Sequence, residues 1–522
     1  MLLLKLNGYL ELSDNLPPEA QSELKKFFED ANEKLLKKGT PRGKESEGAQ
    51  VTKWTLKDDR IELKIISGRY VRAHAAILRL SNSLSELLGA KYHVGVRKAV
   101  ATDYHIEAEL EKEPLEPVTL PFTKKLKIED KKAHITMVEM DESQLKRNYP
   151  DRLLRRLEEK ISAQHISGKA EFTHTIERSN KGLQKYKLRE DPTETALKLG
   201  WVKEFLGAGI WQIMPPYAAL IRAIENIVVD DIAKPLGFKE VILPRLIPLE
   251  VEMKKGHFGI ANEIIWACPP ISRDPKEFEE ILDYVEITGT PPVELLQKKL
   301  RPPTFGLAYA QCEPFYELFA QEIVNVEELE KNPIKLYDKN GPTWRWEGGG
   351  LKGLERLNEF HRIEFVYMAP PEKTIEIRDQ ILEKAKTMID KDFDLEYRVD
   401  ATTAVYLEHA GITEEEKKEK EEFVKTYDLT VILPFETQSR AEAELEIASF
   451  HVHTDFYAKR FHFRDKTRKT VYTGCVGIGP SRYAYVNLIR YGFNYDDWPP
   501  KIKKYIGDKL PDAPQTVTWP KK

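Results

Sequence analysis

The sequence predicts an α+β protein of two domains, and three observations carry that prediction. Alternating apolar and polar segments, the period of a half-buried strand, recur through residues 1–165 (LLLKLNGYLEL, RIELKIIS, DYHIEAEL, KKAHITMVEM) together with helical stretches, which reads as a compact mixed α/β module. Residues 166–195 are polar and charged and read as a linker. From residue 196 to 522 the chain becomes dense in aromatic residues and prolines, with strands on short connections, a second and larger domain. A chain of 522 residues is too long for one ordinary core, so two cores are expected.

Composition narrows the function classes. Apolar residues make up 41% and charged residues 32%, the balance of a folded, strongly charged protein. No run of about 18 apolar residues occurs, so no membrane span is expected. The start, MLLLKLNGYLELSD, alternates like a strand and lacks a basic region or cleavage site, so no signal peptide is expected. Three cysteines, Cys268, Cys312 and Cys475, make no disulfide framework and point to a reducing cytoplasm. Net charge is −4, so any nucleic-acid site must be a local patch.

One such patch lies in the first domain. Between Gly68 and Lys98 stand Arg69, Arg72, Arg79, Lys91, Arg97 and Lys98 against the single acid Glu86, with Tyr70, Tyr92, His74 and His93 interleaved. VRAHAAILRLSNSLSELLG has helical period and is expected to end at Gly89 as its C-cap. A basic helix followed by a basic turn suits phosphate contacts; a solvated helix face without acids is the alternative.

In the second domain, GFKEVILP is a β-branched run opened by Gly237 and Phe238 and stopped by Pro244. Residues 273–303 hold two short helical patterns joined at Gly-Thr-Pro-Pro, either a helix-turn-helix-like insertion or two core-packing helices. A strand from Thr343 to Glu347 enters a loop at Gly348-Gly349-Gly350 and returns as Glu359 to Met368. Arg345 and Glu347 fall on one strand face, as do Phe360, Arg362 and Glu364. Arginines for phosphate oxygens and an aromatic face for a base suit a nucleotide; an amphipathic hairpin with surface ion pairs is the alternative. ITEEEKKEKEEFVK reads as an exposed helix with Thr413 and Glu416 as its capping box. Finally, Gly477-x-Gly479-x-x-Arg482 sits between a strand and an apolar helix, where glycines permit close approach and Arg482 falls in the first helical turn facing any bound anion.

These three segments, in this order, resemble the motifs of class II aminoacyl-tRNA synthetases. AQCEPFYELF, WRWEGGGLKGLERLNEFHRIEF, YTGCVGIGPSR and YGFNYDDWP resemble the methanogen-type, zinc-dependent seryl-tRNA synthetases, and GRYVRAHAAILRL with KYHVGVR resembles that family's amino-terminal tRNA-binding domain. The resemblance implies an antiparallel catalytic sheet flanked by helices, adenylation of serine with ATP, and transfer to the 3′ end of tRNA(Ser), extending to tRNA(Sec). It implies one zinc per subunit on Cys312, Glu364 and Cys475, holding the amino group of serine, and magnesium with ATP. Arg345, Trp346, Glu347, Arg356, Leu357, Phe360, Glu446 and Arg482 would bind ATP, with Arg345 and Arg482 catalytic. Ala308, Arg345, Arg362, Glu364 and Ser449 would bind the amino acid. A cytoplasmic homodimer formed through the first motif is also implied, and the apolar run GIWQIMPPYAALIRAIENIVV supports a buried face there.

The sequence departs from that pattern around the amino acid. Ser449 stands where many members have asparagine, and His451 and Val452 where serine and asparagine are common. ATTAVYLEHAG lacks the expected tryptophan and glutamine, with Val405 and His409 nearby. Three alternatives stay open: activation of another small amino acid, charging of a carrier protein, or a catalytically silent RNA-binding relative. His451 and His453 alternate on one strand face and form a second candidate metal pair, or core histidines. Cys268 has no matching ligand position and reads as a small hydrophobe.

Overall fold

The computed structural model describes residues 2–165, 173–205, 207, 209–348, 350–402, 426–435 and 443–514. The chain divides into two compact units, Met1–Ala170 and Glu171–Lys522.

The first unit is built on a six-stranded sheet whose described neighbours all pair antiparallel, in the order Ala49–Lys57, Arg60–Ser67, Leu2–Leu12, Val96–Glu109, Lys132–Met137, Thr123–Glu129. Alternation along Leu2–Leu12 buries Leu4, Leu6, Leu10 and Leu12 on one face. Burial of such a side chain contributes about 1.5–3 kcal/mol. Gly8 sits at a register shift where a Cβ would lie 2.2 Å from the Val100 carbonyl oxygen, so only glycine lets the two strands close there. The helix Ala73–Tyr92 presents Ala73, Ala76, Ile77, Leu80, Leu84 and Leu88 to the core, the spacing of one helical face. It does not stop at Gly89. It runs to Tyr92 and ends on His93, which takes the left-handed conformation (φ 56°) and donates its N–H to the Leu88 carbonyl.

The second unit holds an eight-stranded sheet ordered Lys239–Glu240, Ile334–Asp338, Ile363–Ala369, Tyr472–Ile478, Glu444–Thr454, Thr426–Ile432, Tyr397–Thr402, Thr173–Arg178. Its pairs are antiparallel except the first. Helices Pro215–Val228, Pro371–Thr387 and Pro480–Tyr491 contribute their apolar faces to the main core of this unit. The apolar run expected to supply a buried face contributes Tyr217, Leu220, Ile221, Ile224 and Ile227 to this core. A separate core on the sheet gathers Phe315, Tyr316, Phe456, Tyr457 and Phe461 around Cys312 and Cys475.

Several boundaries differ from the expected ones. Part of the stretch read as a linker is built into the second unit: Thr173–Arg178 is the last strand of its sheet and Thr193–Lys198 a helix. The β-branched run forms ladder pairs only at Lys239–Glu240, since Leu243 N–H is taken by the Asp338 carboxylate (3.0 Å) before Pro244. Helices Glu279–Thr288 and Val293–Lys298 bury no residue, so they are an exposed pair and not core-packing helices. The capping box at Thr413 and Glu416 lies outside the described residues, as do Val405 and His409.

Candidate active site

Register across the large sheet assembles the site. Glu364 stands opposite Gly477, Gly477 opposite Ser449, Ser449 opposite Asp428, and Asp428 opposite Asp400. Directly paired residues project to the same face, so these five form one lateral row. The neighbouring row carries Val366, Cys475 and His451. Gly477 is the gap in the first row: a Cβ there would lie 2.2 Å from Arg362 Nη2, and the guanidinium fills that space.

Cys312 arrives from another segment, at the start of helix Glu313–Leu318. Its sulfur, the Cys475 sulfur and a Glu364 carboxylate oxygen lie within 4.8 Å of one another, all buried. Each has its own partner. Lys255 Nζ donates to Cys312 Sγ at 3.3 Å, His453 Nε2 lies 3.5 Å from Cys475 Sγ, and Arg362 Nε lies 2.7 Å from Glu364 Oε2. The Lys255 ammonium is buried and sits 4.9 Å and 4.5 Å from the ring centres of Tyr316 and Tyr457. Tyr316 and Thr473 hydroxyls both lie 3.2 Å from His453 Nδ1, so the ring is held on its far side while Nε2 faces the sulfur.

The electrostatics follow from burial and these partners. Burial pushes the Glu364 carboxyl up to about 7, with Arg362 opposing it. Cys312 is held well below the usual thiol range by its hydrogen bond with Cys475, against burial and with help from Lys255. The same hydrogen bond, with burial, raises Cys475. Neither Glu364 oxygen accepts a well-directed hydrogen bond. Two thiols, one carboxyl and a supporting donor behind each fit a zinc ion with three protein ligands and one open position. A second buried group, Glu252, His257 and Glu313, lies behind this one. Its Glu313 accepts from Ala310 N–H at 3.0 Å and so holds the turn that carries Cys312. Among the described residues, neither group includes His451 or His453 as a ligand.

The nucleotide-type residues gather beside this floor. Arg345, Glu347, Glu355, Arg356, Glu444, Leu445, Glu446 and Arg482 line one cavity. Arg345 donates to Glu347 Oε2 at 2.6 and 3.0 Å and to the Tyr309 hydroxyl at 3.1 Å, and its guanidinium carbon lies 5.4 Å from the Phe360 ring centre. Arg482 Nη1 donates to the Glu446 carbonyl at 2.6 Å. Strand pairing in the arginine hairpin is short, Pro342–Trp344 with Glu359–His361. Leu357 and Phe360 lie in an adjoining apolar cleft with Trp211, Tyr217 and Ser481, while the Trp346 side chain is half exposed. Ala308 is buried, and its carbonyl accepts from Trp344 N–H at 3.1 Å.

In the first unit the six basic residues divide. Arg72 pairs with Asp151 at 3.0 Å, Arg79 donates to the carbonyls of Leu35 and Lys38, and Lys91 pairs with Glu23. Arg69, Arg97 and Lys98 stay exposed, Lys98 with only a long 3.9 Å contact to Glu11.

Comparison with known proteins now bears on this geometry. A tRNA-binding domain family matches residues 2–159, and a family described as the tRNA synthetase class II core domain (G, H, P, S and T) matches residues 301–488. A type-2 serine–tRNA ligase of Methanocaldococcus jannaschii is 37% identical over 530 residues, 100% of this chain and 99% of the relative. The chain belongs to the type-2 serine–tRNA ligase family. Another member, from Methanopyrus kandleri, is 36% identical over 518 residues, 97% of this chain and 96% of its own length. The crystal structure of M. kandleri SerRS with A. aeolicus tRNASec matches over 100% of both chains at 33% identity and a TM-score of 0.83. Among type-2 serine–tRNA ligases, then, this chain keeps the class II fold and the amino-terminal domain. No described helix is long and apolar enough to cross a membrane. Lys255, Asp428 and Tyr309 were not singled out by sequence, because nothing in their local pattern marks them as functional, while His453, read as half of a metal pair or a core histidine, stands against the Cys475 sulfur.

Proposed function

We propose that the protein is a serine–tRNA ligase that activates serine with ATP and transfers it to tRNA(Ser). The observation that carries this reading is the convergence of Cys312, Glu364 and Cys475 one glycine away from Ser449, beside the arginine-lined cavity. Activation requires the amino-acid carboxylate to attack the α-phosphorus of ATP as pyrophosphate leaves. The chain need only align the two anions and offset their charge. Arg345, already oriented by Glu347 and Tyr309, would meet the α-phosphate and the carboxylate; Arg356 and Arg482 would meet the outer phosphates; Phe360 would stack on adenine. Cys312, Glu364 and Cys475 would hold a zinc ion, which supplies a Lewis-acid site for the amino group, and Glu446 would hold the magnesium that accompanies ATP. A homodimer and charging of tRNA(Sec) belong to the same reading.

Amino-acid-dependent pyrophosphate exchange across a panel of amino acids tests it. Serine should give the highest kcat/KM. Exchange with a different amino acid, or none with any, would replace this reading with one of the alternatives.

A further inference from the structure

The polar residues that surround Ser449 form one directed chain of hydrogen bonds. Ser449 Oγ donates to Asp428 Oδ1 at 2.5 Å, and the other oxygen of Asp428 accepts from the Thr402 hydroxyl at 3.0 Å. Burial and the neighbouring Glu446 push Asp428 up to about 7, so above neutrality it is ionised, can only accept, and uses the single hydroxyl proton of Ser449. Its 2.8 Å contact with His451 Nε2 must then run the other way, with Nε2–H donating to Oγ. That tautomer leaves Nδ1 as an acceptor, and Thr426 Oγ1 lies 3.3 Å from it. Every described contact agrees with one sense of the chain, from Thr426 through His451 and Ser449 to Asp428. Ser449 Oγ has one donor spent and one lone pair taken, which leaves a single acceptor position among the described residues. It lies on the row shared with Glu364, beyond the Gly477 gap that Arg362 fills.

We infer that Asp428 and His451 are positioning residues for amino-acid selection: they lock Ser449 as a pure acceptor, so that the pocket takes a side chain bearing an O–H donor. This rests on the proposed activation of serine and deepens it. A side chain without a donor, as in alanine, leaves the locked acceptor unpaired in a half-buried place. A site built around a hydroxyl rejects analogues that lack it far more strongly than an apolar pocket rejects a missing methylene. The departure from asparagine at this position is thus compensated by two neighbours, Asp428 from the adjacent strand and His451 two residues on.

The test compares serine and alanine in pyrophosphate exchange for the wild-type protein, Asp428→Ala, Asp428→Asn and His451→Phe, with zinc content and the KM for ATP measured alongside. Asp428→Ala and His451→Phe should each lower kcat/KM for serine by about 100-fold, mostly through KM, while alanine changes little, so that discrimination collapses. Zinc content and the KM for ATP should hold. Asp428→Asn, whose amide oxygen still accepts from Ser449, should recover most of the serine preference. A serine-to-alanine ratio unchanged in both Asp428→Ala and His451→Phe overturns the inference while leaving serine activation intact. Absence of serine exchange in the wild-type protein overturns the activation reading itself, and this inference with it.

Discussion

Gly477→Ala separates the chemistry of the site from the stability of its fold. The backbone at Gly477 is ordinary strand, within Tyr472–Ile478, so alanine adds no backbone strain. The added Cβ, however, would sit 2.2 Å from Arg362 Nη2, 2.3 Å from Nε and 2.5 Å from Cζ. Ordinary contact is about 3.5 Å, so the guanidinium must retreat by about 1 Å. What it leaves is the 2.7 Å contact with Glu364, a carboxylate with no exposure. Glu364 already sits at about 7 through burial, and losing the positive charge beside it raises it further, so it holds a proton instead of a metal. Displacing a positioning group by about 1 Å can cost on the order of 100-fold in rate. Gly477→Ala should therefore lose about 100-fold in serine-dependent pyrophosphate exchange and bind zinc more weakly. Its unfolding midpoint should move little, because the displaced atoms are the end of a flexible side chain. Wild-type exchange with wild-type zinc content would mean that Arg362 does not position Glu364, and a large drop in unfolding midpoint would show that Arg362 is structural instead.

Other expectations follow from the same geometry. Arg482→Ala, removing one charge-stabilising donor from the cavity, should cost on the order of 100-fold in exchange with the zinc content kept. Combined alanine substitution of Arg69, Arg97 and Lys98 should weaken tRNA binding and reduce its salt slope by up to about three units, leaving exchange without tRNA unchanged. Arg72 and Arg79 are poorer choices, since their contacts with Asp151 and with the Leu35 and Lys38 carbonyls tie their loss to stability. Metal binding must displace protons from Glu364, at about 7, and from Cys475, which is raised further. Zinc affinity should accordingly rise with pH through neutrality and fall as pH drops below 7, with proton release on binding measurable by calorimetry in buffers of different ionisation enthalpy.

How much of this was legible before the fold depends on whether a residue acts through its neighbours in sequence or in space. Arg345, Glu347 and Phe360 share one hairpin, and Gly477 and Arg482 one strand-to-helix turn, so alternation and glycine spacing brought them forward. Cys312, Glu364 and Cys475 come from three segments and carry no mutual spacing; only resemblance linked them. Lys255 was hidden because a lysine in LEVEMKK reads as a solvated helix residue, and its role needs the sulfur and the two tyrosine rings that fold over it. Asp428 was hidden for a similar reason: its partner Ser449 lies on the adjacent strand, and only register pairs them. The basic segment misled in part, because composition counts charges and cannot say that Arg79 is spent on two carbonyls. Gly89 misled for a local reason, since a histidine in the left-handed conformation ended the helix later.

Everything proposed for serine activation rests on Cys312, Glu364 and Cys475 holding a zinc ion with one open position for the amino group of serine. X-ray absorption at the zinc edge, on the purified protein with and without serine, tests it most directly. One zinc per chain is predicted, with two sulfur ligands at about 2.3 Å and the remainder nitrogen or oxygen. Adding serine should change only the nitrogen and oxygen shell. A protein that activates serine fully without zinc, or whose zinc has no sulfur ligand, would rule this site out.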